Sequence, residues 1–85
     1  MNNARNCNLT SRQAEVLGLI RGHLGDNGFP PTRRELARCL GVQTNAIQLH
    51  VGALAKKGYI RVVPGAARGL VVTDLGREHA QEGVR

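Results

Sequence analysis

Eighty-five residues supply enough apolar surface for one small core and exclude a second folded domain. A 41% share of hydrophobic residues with 21% charged belongs to a soluble globular chain, and one Phe, one Tyr and no Trp leave the core to aliphatic side chains and withhold the stacking platforms of single-strand binders. Twelve Lys and Arg against six acidic residues give a formal charge of +6, which indicates a polyanionic partner if the cations are gathered and mere solubility if they are scattered.

Residues 1–8 read as a loose arm before the first start signal. Leu9-Thr10-Ser11-Arg12-Gln13-Ala14 opens a helix: Thr10 can cap the third helical amide, Gln13 can return a bond, and Leu9 can staple against Ala14. Val16, Leu17, Ile20 and Leu24 then recur at helical spacing through about residue 25, with Gly25 and Gly28 as terminators. Phe29-Pro30-Pro31 cannot continue a helix. Thr32-Arg33-Arg34-Glu35 is a second capping box, leading a two-turn helix with Leu36, Ala37 and Leu40 on one face and Gly41 at its end.

Past Gly41-Val42-Gln43, Thr44 can cap a third helix that Gly58 stops. Its pattern turns Ile47, Val51 and Leu54 one way, and Asn45, Gln48, Leu49 and Lys56 the other. Tyr59–Val63 and Leu70–Thr73 are β-rich runs joined by Pro64-Gly65-Ala66-Ala67-Arg68-Gly69, a hairpin with a flexible tip. Residues 74–85 have few apolar side chains and suit either a short helix or a frayed tail. There is no internal repeat.

The expected fold class is mainly α (α+β): three helices in a helix-turn-helix arrangement, with a C-terminal two-stranded hairpin as a wing. The domain is expected over residues 9–73. Cys7 and Cys39 are too far apart for a CxxC pair, and no His/Cys cluster has metal-ligand spacing, so reduced thiols and no cofactor or metal are expected. His23, His50 and His79 read as packing or solvated residues, and Cys39 as a half-buried small hydrophobe. With no apolar h-region and no run of about 18 apolar residues, a cytoplasmic location without membrane contact is expected.

A helix-turn-helix presents its second helix to a major groove wide enough to admit it. The cations fall where backbone contact would then occur: Arg12, Arg33 and Arg34 in the first turns of two helices, Lys56 and Lys57 ending the third, and Arg61 and Arg68 in the hairpin. Cations oppose the macrodipole at helix N-termini, so Arg12, Arg33 and Arg34 either serve a phosphate or are simply solvated. Asn45 suits either the N6/N7 edge of adenine or a helix cap. Gln48 offers the same amide chemistry, and Leu49 either meets a thymine methyl or is incidental.

These residues carry a family resemblance. Leu9-Thr10-Ser11-Arg12-Gln13, Gly28-Phe29-Pro30-Pro31-Thr32-Arg33, Lys57-Gly58-Tyr59-Ile60 and Gly65-Ala66-Ala67-Arg68-Gly69 resemble the DNA-binding domain of LexA repressors over about residues 9–72. The resemblance implies a winged helix-turn-helix whose third helix (about 45–57) reads the major groove and whose wing touches backbone. It also implies that Asn45 contacts a base, with Thr44, Ala46 and Gln48 beside it. Three departures qualify it. The chain is one residue shorter before Asn45, where the family typically has Ser-Pro-Asn, so a shifted start of the reading helix is expected. Gln48 and Leu49 stand at positions often acidic in the family. The chain stops before a self-cleavage domain, so autoproteolysis is not expected of it.

The function expected is therefore that of a non-enzymatic, sequence-specific duplex-DNA binder of bacterial or phage type. It would repress by occupying an operator, as a weak or DNA-assisted homodimer with no small-molecule ligand. The alternative is a winged helix used for protein contact, as an interaction module or antirepressor.

Overall fold

The structure is a computed structural model, and it describes residues 9–78. Three helices, α1 (Ser11–Asn27), α2 (Arg33–Leu40) and α3 (Thr44–Lys56), precede an antiparallel ribbon of β1 (Ile60–Val62) and β2 (Leu70–Val72). Ile60 pairs with Val72, Arg61 with Val71 and Val62 with Leu70. The expected order of elements and the two-stranded wing are both present.

Two helices start by their own chemistry. In α1 the Thr10 hydroxyl accepts from Gln13 N–H at 3.1 Å, and Thr10 N–H donates to Gln13 Oε1 at 3.2 Å. In α2 Thr32 and Glu35 repeat the exchange at 3.0 and 2.9 Å. Each reciprocal pair satisfies two amides that a helix start otherwise leaves open.

The third helix differs from expectation. Thr44 is its first helical residue, Gln43 holds the N-cap position, and no side chain caps the helix. Thr44 and Asn45 are therefore not caps. The first helix also runs past Gly25 to Asn27, ending at left-handed Gly28. A glycine inside a helix is tolerated at some cost, whereas the left-handed exit demands one.

At the turn between α2 and α3, Gly41 takes φ 68° and Val42 N–H reaches back to Ala37 O at 3.0 Å. This closes α2 with a Schellman motif, while Val42 packs on the core. The same six-residue return occurs after α3, where Tyr59 N–H donates to Leu54 O at 3.0 Å and the Tyr59 side chain is buried.

The core collects Val16, Leu17 and Ile20 from α1, Leu36 and Ala37 from α2, and Ile47, Val51 and Leu54 from α3. Ile60, Leu70 and Val72 complete it from the ribbon. All three helices thus bury the stripe that their periodicity indicated, with Leu24 and Leu40 packed at the edge. Cys39 is exposed rather than half-buried, on an open groove between α1 and α2 that Gly18, Gly22 and Leu36 also line. Residues 74–78 are helical, begun by Thr73, whose hydroxyl donates to Gly58 O at 2.6 Å and accepts from Gly76 N–H at 3.2 Å. The expected arm at 1–8 and the remainder of the tail lie outside the described residues.

Candidate nucleic-acid interface

Burial of Ile47, Val51 and Leu54 fixes the rotation of α3, and so decides which side chains face outward. Thr44, Asn45, Gln48, Leu49 and Lys56 are exposed, and Ala46 is half-buried at the margin. At about 100° per residue, the five exposed positions fall within a single arc of about 140°. Gly52 lies in the middle of that arc, where an added Cβ would meet no atom within 4 Å. The arc is polar except for Leu49, which is 75% exposed. Such a surface offers amide donors and acceptors without a competing hydrophobic patch.

The cations occupy varied settings. Arg34, Lys56 and Arg61 are exposed. Arg12, also exposed, pairs with Glu15 at 3.3 Å, an exposed contact of small energetic weight. Arg33 is half-buried, its Nε enclosed without a hydrogen-bond partner among the described residues. Lys57 Nζ donates to Gln13 Oε1 at 2.9 Å, which joins the end of α3 to the start of α1 and gathers Thr10, Gln13 and Lys57 at one point.

Arg68 is engaged within the protein. Its Nη1 donates to Glu35 Oε1 and to Pro30 O, both at 2.9 Å, and its Nη2 donates to Glu35 Oε2 at 3.0 Å. The guanidinium carbon stands 4.6 Å from the Phe29 ring centroid. The Arg68 hydrogen bond, followed by the Thr32 N–H, holds the Glu35 carboxyl down at about 2, and Glu35 in turn raises Arg68 above its ordinary value. His23 Nε2 lies 3.7 Å from Glu35 Oε1, and His23 Nδ1 is 2.9 Å from Phe29 O.

Sequence reasoning gave Glu35 a capping role alone and gave Phe29, Pro30 and His23 no part in a site. One signal was available: a capping glutamate spends only part of its carboxylate's acceptor capacity, and here Oε1 accepts from both the Thr32 N–H and Arg68 while Oε2 accepts from Arg68.

Comparison with known proteins follows the same lines. A family model described as the LexA DNA binding domain matches residues 6–69. The chain is 49% identical over 77 residues to a LexA repressor of Shewanella halifaxensis, covering 89% of this chain and 37% of that protein. With LexA repressor 1 of Pseudomonas syringae pv. tomato it shares 57% identity over 63 residues, covering 73% and 31%. Among solved structures, a transcriptional regulator from Thermotoga maritima superposes with a TM-score of 0.73 at 28% identity, over 94% of this chain and 55% of that one. The chain thus spans about a third of the length of the LexA repressors it matches. The matched span takes in all three helices, the tight turn and the wing up to Gly69, and the chain belongs to the LexA DNA-binding domain family.

Proposed function

We propose that this chain is a sequence-specific duplex-DNA binder that represses transcription by occupying an operator, with α3 in the major groove. The observation that carries the reading is the exposed polar arc of α3, set opposite a fully buried apolar stripe. On this reading Asn45 and Gln48 meet base edges through their amides, Leu49 offers an apolar contact to a thymine methyl, and Thr44 and Ala46 border them. Arg12, Arg33, Arg34, Lys56, Lys57 and Arg61 face phosphates, as does whatever part of Arg68 its tie to Glu35 leaves accessible.

Residues 9–73 form the binding unit, in keeping with a core that runs from Val16 to Val72. The role needs no catalytic group and no cofactor. It belongs in the cytoplasm, where duplex DNA is at hand; no helix among the described residues is long and apolar enough to cross a membrane. Leu49 is the sole large exposed apolar side chain on α3 among the described residues, too little to anchor a protein partner there.

Selection of bound duplexes from a random pool tests the reading. Enrichment of a defined motif is expected. Recovery of random sequence at every salt concentration would overturn sequence-specific recognition.

A further inference from the structure

The wing has little to stiffen it. A ribbon of two three-residue strands is marginal by itself. Its base is secured by Ile60, Leu70 and Val72 in the core, but residues 63–68 are exposed. The bonds within this tip are local: Val63 N–H to Gly69 O at 2.7 Å, and Ala66 N–H to Val63 O at 3.4 Å. Arg68 is different, because it leaves the wing and reaches the segment that begins α2.

What it reaches is a prepared seat. Glu35 is fixed in place by the Thr32 N–H, so its two oxygens meet the guanidinium fork side by side. Pro30 O takes a further bond, and the Phe29 ring lies beneath the guanidinium carbon. His23 holds the Phe29 carbonyl and tilts its ring 60° to the Phe29 ring at 5.5 Å.

We propose that Glu35 is a positioning residue for DNA binding: by seating Arg68 it docks the wing on the start of α2, so that α3 and the wing meet a duplex as one preset surface. The proposal rests on the duplex-DNA reading above. A docked wing arrives already ordered, whereas a free one must lose conformational entropy at the moment of binding. Simple electrostatics makes the contrary forecast. Removing an acidic side chain from a chain of charge +6 should tighten binding to a polyanion.

The variant E35Q separates the two. Glutamine keeps an acceptor for the Thr32 N–H, as capping boxes allow, but loses the charge that Arg68 needs. Dissociation constants are measured for wild type, E35Q, R68Q and the double variant on the selected site and on random duplex, at a temperature where all four are folded. Backbone 15N relaxation of residues 65–69 is recorded in the free proteins.

We expect E35Q to bind both duplexes about two- to fivefold more weakly, the weight of one exposed ion pair. The wing-tip amides should become more mobile, and E35Q/R68Q should bind no worse than R68Q, because the pair acts as a unit. Binding by E35Q as tight as wild type or tighter overturns the proposal, as do losses that add in the double variant. If wild type fails to bind any duplex, the functional reading falls and the positioning role with it. Unchanged amide dynamics in E35Q would also overturn the proposal, while leaving the duplex-DNA reading intact.

Discussion

Asn45 is the second residue of α3, exposed and relieved of capping work because Gln43 holds the cap position. The substitution N45A should therefore leave helicity and melting temperature nearly unchanged, yet cost about 1–3 kcal/mol on the preferred site and little on random duplex. Circular dichroism and competition binding check this, and equal losses on both duplexes would deny Asn45 a base-reading role. Glu35 gives a prediction of another kind. Its carboxyl is lowered from 4.5 to about 2, chiefly by Arg68. A depressed acid contributes stability that is present in full above about 4.5 and is lost as pH falls through about 2. The Glu35 carboxyl resonance should titrate near 2 in wild type and return toward its ordinary range in R68Q. The two residues differ in legibility for a physical reason. The exposed side of Asn45 follows from local periodicity, whereas the partner of Glu35 lies 33 positions along the chain and is brought near only by the fold.

At the scale of elements, the turn between α2 and α3 depends on the left-handed conformation of Gly41. An added Cβ would meet nothing within 4 Å, so G41A carries a conformational penalty and no collision. A loss of about 1–2 kcal/mol in denaturant unfolding is expected, the usual cost of that conformation for an alanine. Gly69 presents the opposite case, since a Cβ there would sit 2.5 Å from Val63 O and the wing tip would have to shift. Both capping boxes, the closing Gly41 and the buried faces of the helices were legible because each is written within a few adjacent residues. The start of α3 was not. Threonine before an apolar repeat is an ordinary cap signal, but the Schellman return through Val42 leads the chain into a helix that begins at Thr44 itself.

For the molecule as a whole, charge governs the expected response to salt. Each phosphate contact releases condensed counterions and contributes about −0.9 to the log–log slope, so affinity should fall steeply between low and physiological salt. Fluorescence anisotropy across a salt series checks this, and a flat response would remove the polyanion from consideration. Assembly should depend on DNA. Leu75 is 45% exposed at the start of the tail, a small apolar edge beside the roughly 800 Å² per partner of a standard interface. Ala80 and Val84, which would extend that edge, lie outside the described residues. The 85-residue chain is expected to sediment as a monomer at micromolar concentration and to occupy two half-sites on one duplex cooperatively, through effective concentration. Sedimentation without DNA, paired with gel shifts on one and two half-sites, decides it; a tight dimer in free solution would contradict the expectation.

The missing side-chain cap on α3 bears on how readily this scaffold can be redirected. Gln43, Thr44 and Asn45 are exposed, and none of them caps the helix through its side chain. Replacing them should change stability by no more than about 0.5 kcal/mol, as for other surface positions without a special role. A library randomised at 43–45 and 48 should thus contain mostly folded proteins, read out by protease resistance, with members that differ in the duplex they prefer. On the proposed reading, the start of α3 can drift toward a new target while the capping boxes and the turn keep the fold intact.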